Sequence, residues 1–550
     1  MDLQARLTSA SIGCRGLIPT AIRVMMPFWL VCSWLAVPPC QTVAQSPPDL
    51  PGQEAEPSPQ FQDPIRRLND RLDALERENA AARAENARLE SLLRGRLPDA
   101  KSGPPPEFAG SSAGQTPSSA STAPAEPGVA TDSTPEATPA CPSSLADKIF
   151  EALGTRYDNG FILVETPDKD RVPYKLWFNL FNQFRYINQE LDSNTFTDHL
   201  GNVHPVDSRN DLNINRNLFY FQGFVFDPNL IFNAIIWSSN SVATIIQGGY
   251  IGYRFDEAFT LYAGYWGIPG SRTNTRDFMF LEGVERSMAD NFFRPSFTQG
   301  VWAEGKLFDH LFYEVYVGNS LNTLNISTTK IDRNMVYSGS TWWEPLGDYG
   351  PPGAARMAFS DLEYHESPVV RIGTSVTGAR EDRFSDLDQN TPDNSAVYNS
   401  DGVLFFSTGS LAPGVTVQLA NYYMWAQDFG YKYRGFAFNA QYYFRWLNSF
   451  RADGPLPLSS TFDHGFEASA GYFVIPKTCE VYGRASVVFG QFRDSNEYAV
   501  GFNWHPWQNR GFRLIGEANH VESSPTNSIQ TIYNSGMTGW NFVLQTQLYF

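Results

Sequence analysis

The sequence predicts an all-β chain: a transmembrane antiparallel β-barrel of about 16 strands, preceded by a short α-helical coiled coil and a disordered linker. Residues 540–550 alternate with period two. Phe542, Leu544, Leu548 and Phe550 fall with Trp540 and Thr546 on one side, and Asn541, Gln545 and Gln547 on the other, interrupted by Val543 and Tyr549. A strand greasy on one face and amide-rich on the other fits a wall between lipid and a wet lumen. Composition agrees: the 550 residues are 42% hydrophobic and 14% aromatic, yet mean hydropathy is negative. Beyond residue 45 no apolar run approaches the roughly 18 residues that a membrane helix needs. The 43 Gly and 37 Pro fit many strands closed by turns.

Residues 1–44 read as an export signal. Arg6, Arg15 and Arg23 precede an apolar stretch at 25–37, and Thr42, Val43 and Ala44 offer small residues for cleavage. A single membrane anchor is the other reading, for which the run is short. After a flexible N-terminus at 45–62, residues 63–96 carry a heptad pattern. Ile65, Leu72, Asn79, Asn86 and Leu93 recur every seven residues, interleaved with Leu68, Leu75, Ala82 and Leu89. This predicts a coiled coil of about 40 Å at ~1.5 Å per residue. Its two seam asparagines fix register, because a shifted pairing buries an amide against Leu. Residues 97–144 are rich in Pro, Ser, Ala and Thr with hardly a large apolar side chain. They cannot bury enough surface to offset ordering entropy and read as a disordered linker.

Residues 145–550 form the barrel domain. Alternating segments predict strands at 174–189, 214–226, 230–239, 244–255, 259–266, 298–307, 311–318, 369–379, 403–410, 414–425, 433–446, 462–475, 480–489, 498–507, 512–520 and 539–550. Short connections such as 227–229 and 476–478 contrast with long polar ones such as 319–367. That asymmetry, and a chain ending on an aromatic, are features of outer-membrane barrels.

Residues 250–321 resemble the porin O/P family of phosphate-selective porins of the bacterial outer membrane. The resemblance rests on AGYWGIPGSR at 263–272, VERSMADNFFRP at 284–295 and GVWAEGKLFDHLFYEVYVGNS at 300–320, with Gly264, Pro269, Glu285, Arg286, Ser287, Pro295 and Gly300 in family order. Looser likeness extends over residues 170–550. The resemblance implies an outer-membrane location in a Gram-negative-type bacterium, a homotrimer, and a third extracellular loop folded into the barrel.

One departure bears on the solute. Tyr265 and Trp266 stand where the family commonly has a basic residue, and of its usual arginine cluster only Arg216 remains, as a lumen candidate. The net charge is −17 and the pI about 4.9. A phosphate path needs clustered cations, so the bulk charge argues against strong phosphate preference, unless the acids lie on outer loops away from the lumen; the porin reading stands without it.

The loop at 268–299 is the candidate constriction. It holds Arg272, Arg276, Arg286 and Arg294 against Asp277, Glu282, Glu285 and Asp290. Opposed rows of charge would orient polar solutes; the other reading is that Glu285 and Arg286 pin the loop to the wall. Cys141 and Cys479 remain after the signal, both expected on the periplasmic side, where oxidising conditions permit a disulfide. Two independent thiols are the alternative.

No metal site, cofactor or enzymatic motif is expected, since His199 and His204 lie in a polar loop and neither a nucleophile elbow nor a phosphate loop occurs. An acidic chain is a poor nucleic-acid binder. The expected function is a water-filled channel for passive diffusion of small hydrophilic solutes or ions, including anions such as phosphate. Its partners would be outer-membrane lipid and those solutes. The alternative is an envelope tether, in which the barrel anchors a coiled coil that contacts the periplasm or peptidoglycan.

Overall fold

A computed structural model describes residues 156–550, apart from 158–159, 167–171, 240–243, 276–278, 325, 352–355, 357, 386–388 and 529. The expected signal, N-terminus, coiled coil and linker, and Cys141, Arg276 and Asp277, lie outside the described residues.

Sixteen strands among the described residues close into one antiparallel ring. In chain order they are β1 (Tyr174–Leu191), β2 (Asn210–Val225), β3 (Asp227–Ser239), β4 (Thr244–Arg254), β5 (Thr260–Gly267), β6 (Phe297–Phe308), β7 (Leu311–Asn319), β8 (Met335–Trp343), β9 (Val369–Asp382), β10 (Val417–Tyr433), β11 (Phe436–Ala452), β12 (Ser460–Ile475), β13 (Cys479–Phe489), β14 (Ser495–Trp504), β15 (Phe512–Glu522) and β16 (Gly539–Tyr549). Each strand pairs with the next, and β16 pairs with β1, Trp540 opposite Glu190 and Tyr549 opposite Phe181. Leu180 and Phe550 exchange backbone hydrogen bonds of 3.0 and 3.1 Å, so the C-terminus is stitched to the first strand. Below that end a short strand, Phe161–Glu165, takes over the pairing with β1, and the Phe550 ring meets Phe161 edge to face. Closure leaves no unpaired sheet edge for lipid to meet.

The period-two pattern becomes the two faces of the wall. On β16, Trp540, Phe542, Leu544 and Leu548 are exposed on the outside, whereas Asn541, Val543, Gln545 and Gln547 are buried inside. The same division runs round the ring, with Ile251, Val301, Val315, Tyr337, Val376 and Val500 outside and Gln183, Asn215, Glu314, Ser340, Arg445 and Asn519 inside.

Two strand expectations differ from the structure. Residues 403–410 are not a strand: Phe405 and Phe406 are buried with Val397 and Leu411 in a folded loop, so their apolar run is a loop core. Conversely β8 lies within the stretch that the sequence predicts to be a long polar connection, 319–367. Its inward Ser338 and Ser340 and outward Gly339 and Thr341 give little hydrophobic signal. The two differences cancel in the strand count, but they matter for topology. With β8 present, residues 320–334 connect on one rim and 344–368 on the other, the rim where the chain ends, which is otherwise made of short turns.

Leu544 sits at the middle of β16, exposed outward. Leu544→Arg should cost about 2–4 kcal/mol of folding stability in bilayers, the depth-dependent cost of a lipid-facing cation near the midplane. Reversible denaturant unfolding from vesicles measures it.

Candidate pore constriction

Residues 268–296, between β5 and β6, are the third connection on the rim opposite the C-terminus, and their described residues run into the lumen instead of over it. They include two helical turns, α1 (Arg272–Thr275) and α2 (Met288–Phe293). Ser287 caps α2 by accepting from the Asp290 N–H at 3.0 Å. A loop inside a barrel must satisfy its backbone locally, and the inward polar residues of distant strands do so. Gln547 of β16 donates to the carbonyl of Met279 at 2.8 Å, and Arg513 of β15 to that of Leu281 at 2.6 Å. Glu517 of β15 accepts from the Val284 N–H at 3.1 Å, and Glu497 of β14 from the Met288 N–H at 2.7 Å. Phe293 stacks on Tyr443 of β11 at 5.2 Å, completing an apolar seam with Ile268, Val284 and Met288.

The structure separates the charged loop residues into two groups. Glu285 is an anchor: Arg216 of β2 donates to both its oxygens at 2.9 Å and Arg185 of β1 to one at 3.3 Å. Burial favours its neutral form, but the guanidiniums of Arg216, Arg185 and Arg286 outweigh this and hold the carboxyl well below the usual carboxylate range. Arg272 binds the β11 wall, donating to Asn439 at 2.9 Å, and lies over the rings of Phe359 and Tyr349. Asp290 accepts from Tyr443 and Thr273 and sits 3.5 Å from Arg286. Glu282 is buried beside Glu480 of β13, and burial and that neighbour both push its carboxyl up. Arg286 and Arg294 instead line open space, together with Arg216. Cys479 is half-buried at the start of β13, on the C-terminal rim, with no disulfide among the described residues.

A second inward segment was not anticipated. The described residues of 344–368 enter from the C-terminal rim and meet the loop inside the barrel, the Phe359 N–H donating to the Phe280 carbonyl at 3.1 Å. Lys432 donates to the carbonyl of Tyr349 at 3.0 Å, and Ser360 to Glu480 at 2.8 Å. Together the two segments hold to wall residues from β10 through β16 and, at Glu285, to β1 and β2.

The space left open runs along the wall from β1 to β6, a cavity of about 280 Å³. Its ring-bearing wall residues include Tyr220, Trp237, Tyr250, Tyr262, Trp266 and Trp302, and Arg216 of β2 with Arg286 and Arg294 of the loop line the same space. Among the described lining residues there is no Asp or Glu. The acids that balance the arginines lie behind them, so a chain of negative net charge carries a cationic cavity.

No protein-family model matches the chain, and no curated protein does. Solved structures resemble it distantly. OmpT of Vibrio cholerae is 10% identical, covering 70% of this chain and 100% of that one with a TM-score of 0.44. OprB of Pseudomonas putida is 11% identical over 68% and 94%, with a TM-score of 0.40. A variant of the Rh. blastica porin is 8% identical over 68% and 100%, with a TM-score of 0.35. At these identities and scores the likeness carries no functional argument.

Glu285→Ala leaves Arg185 and Arg216 buried without their shared carboxylate, and should lower unfolding stability by about 3–5 kcal/mol at neutral pH. Because the folded Glu285 pKa is depressed, its contribution is complete above the unfolded value of about 4.3 and fades as pH falls from there through the folded value. The difference between wild type and variant in denaturant titrations should therefore shrink below about pH 4.

Proposed function

We propose that the protein is an outer-membrane porin, a water-filled channel for passive diffusion of small hydrophilic solutes with a preference for anions. The observation that carries this reading is a lipid-compatible closed barrel with a cavity of about 280 Å³ lined by three arginines and, among the described residues, no carboxylate. An anion entering a narrow lumen exchanges hydration for charge-assisted hydrogen bonds, and phosphate is one candidate. The C-terminal rim then faces the periplasm, with Cys479 and the 344–368 segment, and the rim of long loops faces outward. The resemblance to porin O/P adds a homotrimer to the reading. The tether alternative rests on residues 63–96, and a Cys141–Cys479 bridge on residue 141, outside the described residues.

Planar-bilayer recordings test this proposal. Stepwise currents are expected, with reversal potentials in a salt gradient on the anion-selective side. Arg294→Gln should move the reversal potential toward cation selectivity, whereas Arg272→Gln, at a residue held against the wall, should not. Deleting residues 46–144 should leave the currents intact. Channels that are cation-selective and indifferent to Arg294→Gln would overturn the anion preference.

A further inference from the structure

The cavity is furnished for more than a hydrated ion. Its aromatic wall is a fixed stack: Trp302 of β6 lies parallel to Tyr262 of β5 at 5.2 Å, to Trp266 of β5 at 6.2 Å and to Tyr316 of β7 at 5.5 Å. Tyr250 of β4 stands edge-on to Tyr262, Trp266 and Trp302, between 5.1 and 5.6 Å away. Glycines make room for the rings to lie along the wall. A Cβ at Gly252 would come within 2.4 Å of the Tyr262 ring, and one at Gly300 within 2.7 Å of Tyr316. Trp302 and Tyr316 are each 2% exposed, so they serve as backing. Half-buried Tyr250, Trp266 and Trp237 are left to face the cavity.

Polar atoms without hydrogen bonds occur around the same space. Trp237 Nε1 and the Tyr265 hydroxyl are buried with no hydrogen-bond partner, Arg294 Nε lies 3.8 Å from the Asp290 carboxylate without a hydrogen bond, and all three residues line the cavity. A buried donor left unpaired costs about 1–3 kcal/mol, a cost that a ligand with acceptor oxygens removes. Arg294 keeps 16% of its side chain exposed, the most accessible guanidinium of the three. The volume, about 280 Å³, is nearly twice the ~150 Å³ that holds one benzene ring. A small inorganic anion would engage the arginines but leave ring faces, which offer it nothing, to strip its water. A flat ring bearing a carboxylate satisfies both walls, stacking on fixed indole and phenol faces while its oxygens meet guanidinium and indole N–H donors.

We propose that this cavity is a binding site for small aromatic carboxylates, the solute class that the channel selects. The inference rests on the channel reading above. Trp266, held flat by Trp302, provides the stacking face, and Arg294 pairs with the carboxylate.

The test uses the full-length protein in planar bilayers, with benzoate, gluconate and inorganic phosphate as probes. Benzoate should interrupt the chloride current with dwell times about tenfold longer than gluconate or phosphate. Trp266→Leu should shorten benzoate dwells about tenfold and Trp266→Phe much less, while Arg294→Gln should weaken both benzoate and phosphate blockade. If gluconate or phosphate dwells as long as benzoate, or if Trp266→Leu leaves benzoate dwells unchanged, the aromatic selectivity is wrong and the channel reading survives. Should no current appear at all, the channel reading fails, and calorimetric titration of benzoate into the detergent-solubilised protein decides the site by itself: saturable binding lost in Trp266→Leu supports it, and no binding refutes it.

Discussion

Everything in this structure follows from the requirement that a backbone passing through hydrocarbon pair every one of its N–H and C=O groups. A sheet satisfies this only by closing, and here closure is the pairing of β16 with β1, continued by the hydrogen bonds between Leu180 and Phe550. Once the ring is shut, period two assigns each residue to lipid or lumen with no intermediate choice. The outward row of Trp540, Phe542, Leu544 and Leu548 and the inward row of Asn541, Gln545 and Gln547 are the two consequences of one constraint.

A ring of sixteen strands encloses more space than its wall residues fill, and the chain fills it from both rims. The 268–296 loop crosses the lumen and is held by charge at one point, where Glu285 joins Arg185 and Arg216, and by donated backbone bonds along the wall from β13 to β16. The 344–368 segment closes on it from the opposite side at Phe280 and Phe359. What these segments leave uncovered is an aromatic face on β2–β6 opposed by arginines. Which charges border the open space therefore depends on which side of the loop they occupy. Glu285 and Asp290 are consumed in anchoring, whereas Arg286 and Arg294, a few residues away, border the open space.

The fold was largely legible from the sequence because lipid-facing strands must alternate. The failures came where alternation carries other information. β8 presents Ser, Gly and Thr at its centre and so lacks contrast, and Phe405 and Phe406 supply an apolar run that packs a loop. Reading β8 as loop also hid the 344–368 segment. At the site, the Glu-Arg-Ser group at 285–287 was visible through the family resemblance, and so was Arg216. Arg185, Glu497 and Glu517 were missed. Their signal was present, as charges at inward positions of strands that otherwise alternate, but pairing them with a loop distant in sequence needs the closed ring. Net charge is a poor guide to the lining for a physical reason: Glu285 and Asp290 pair with the arginines from behind, and no Asp or Glu is among the described residues that line the cavity.

Passage by this route requires that the open space between Arg294 and the ring-bearing wall be the conducting path. Asn233 of β3 lines it, so the direct measurement is the current through Asn233→Cys channels, with Cys141 and Cys479 replaced by Ser, on addition of a charged thiol-reactive reagent. A stepwise, irreversible fall in conductance is predicted. Current that continues unchanged after the thiol has been modified would place the route elsewhere and contradict it.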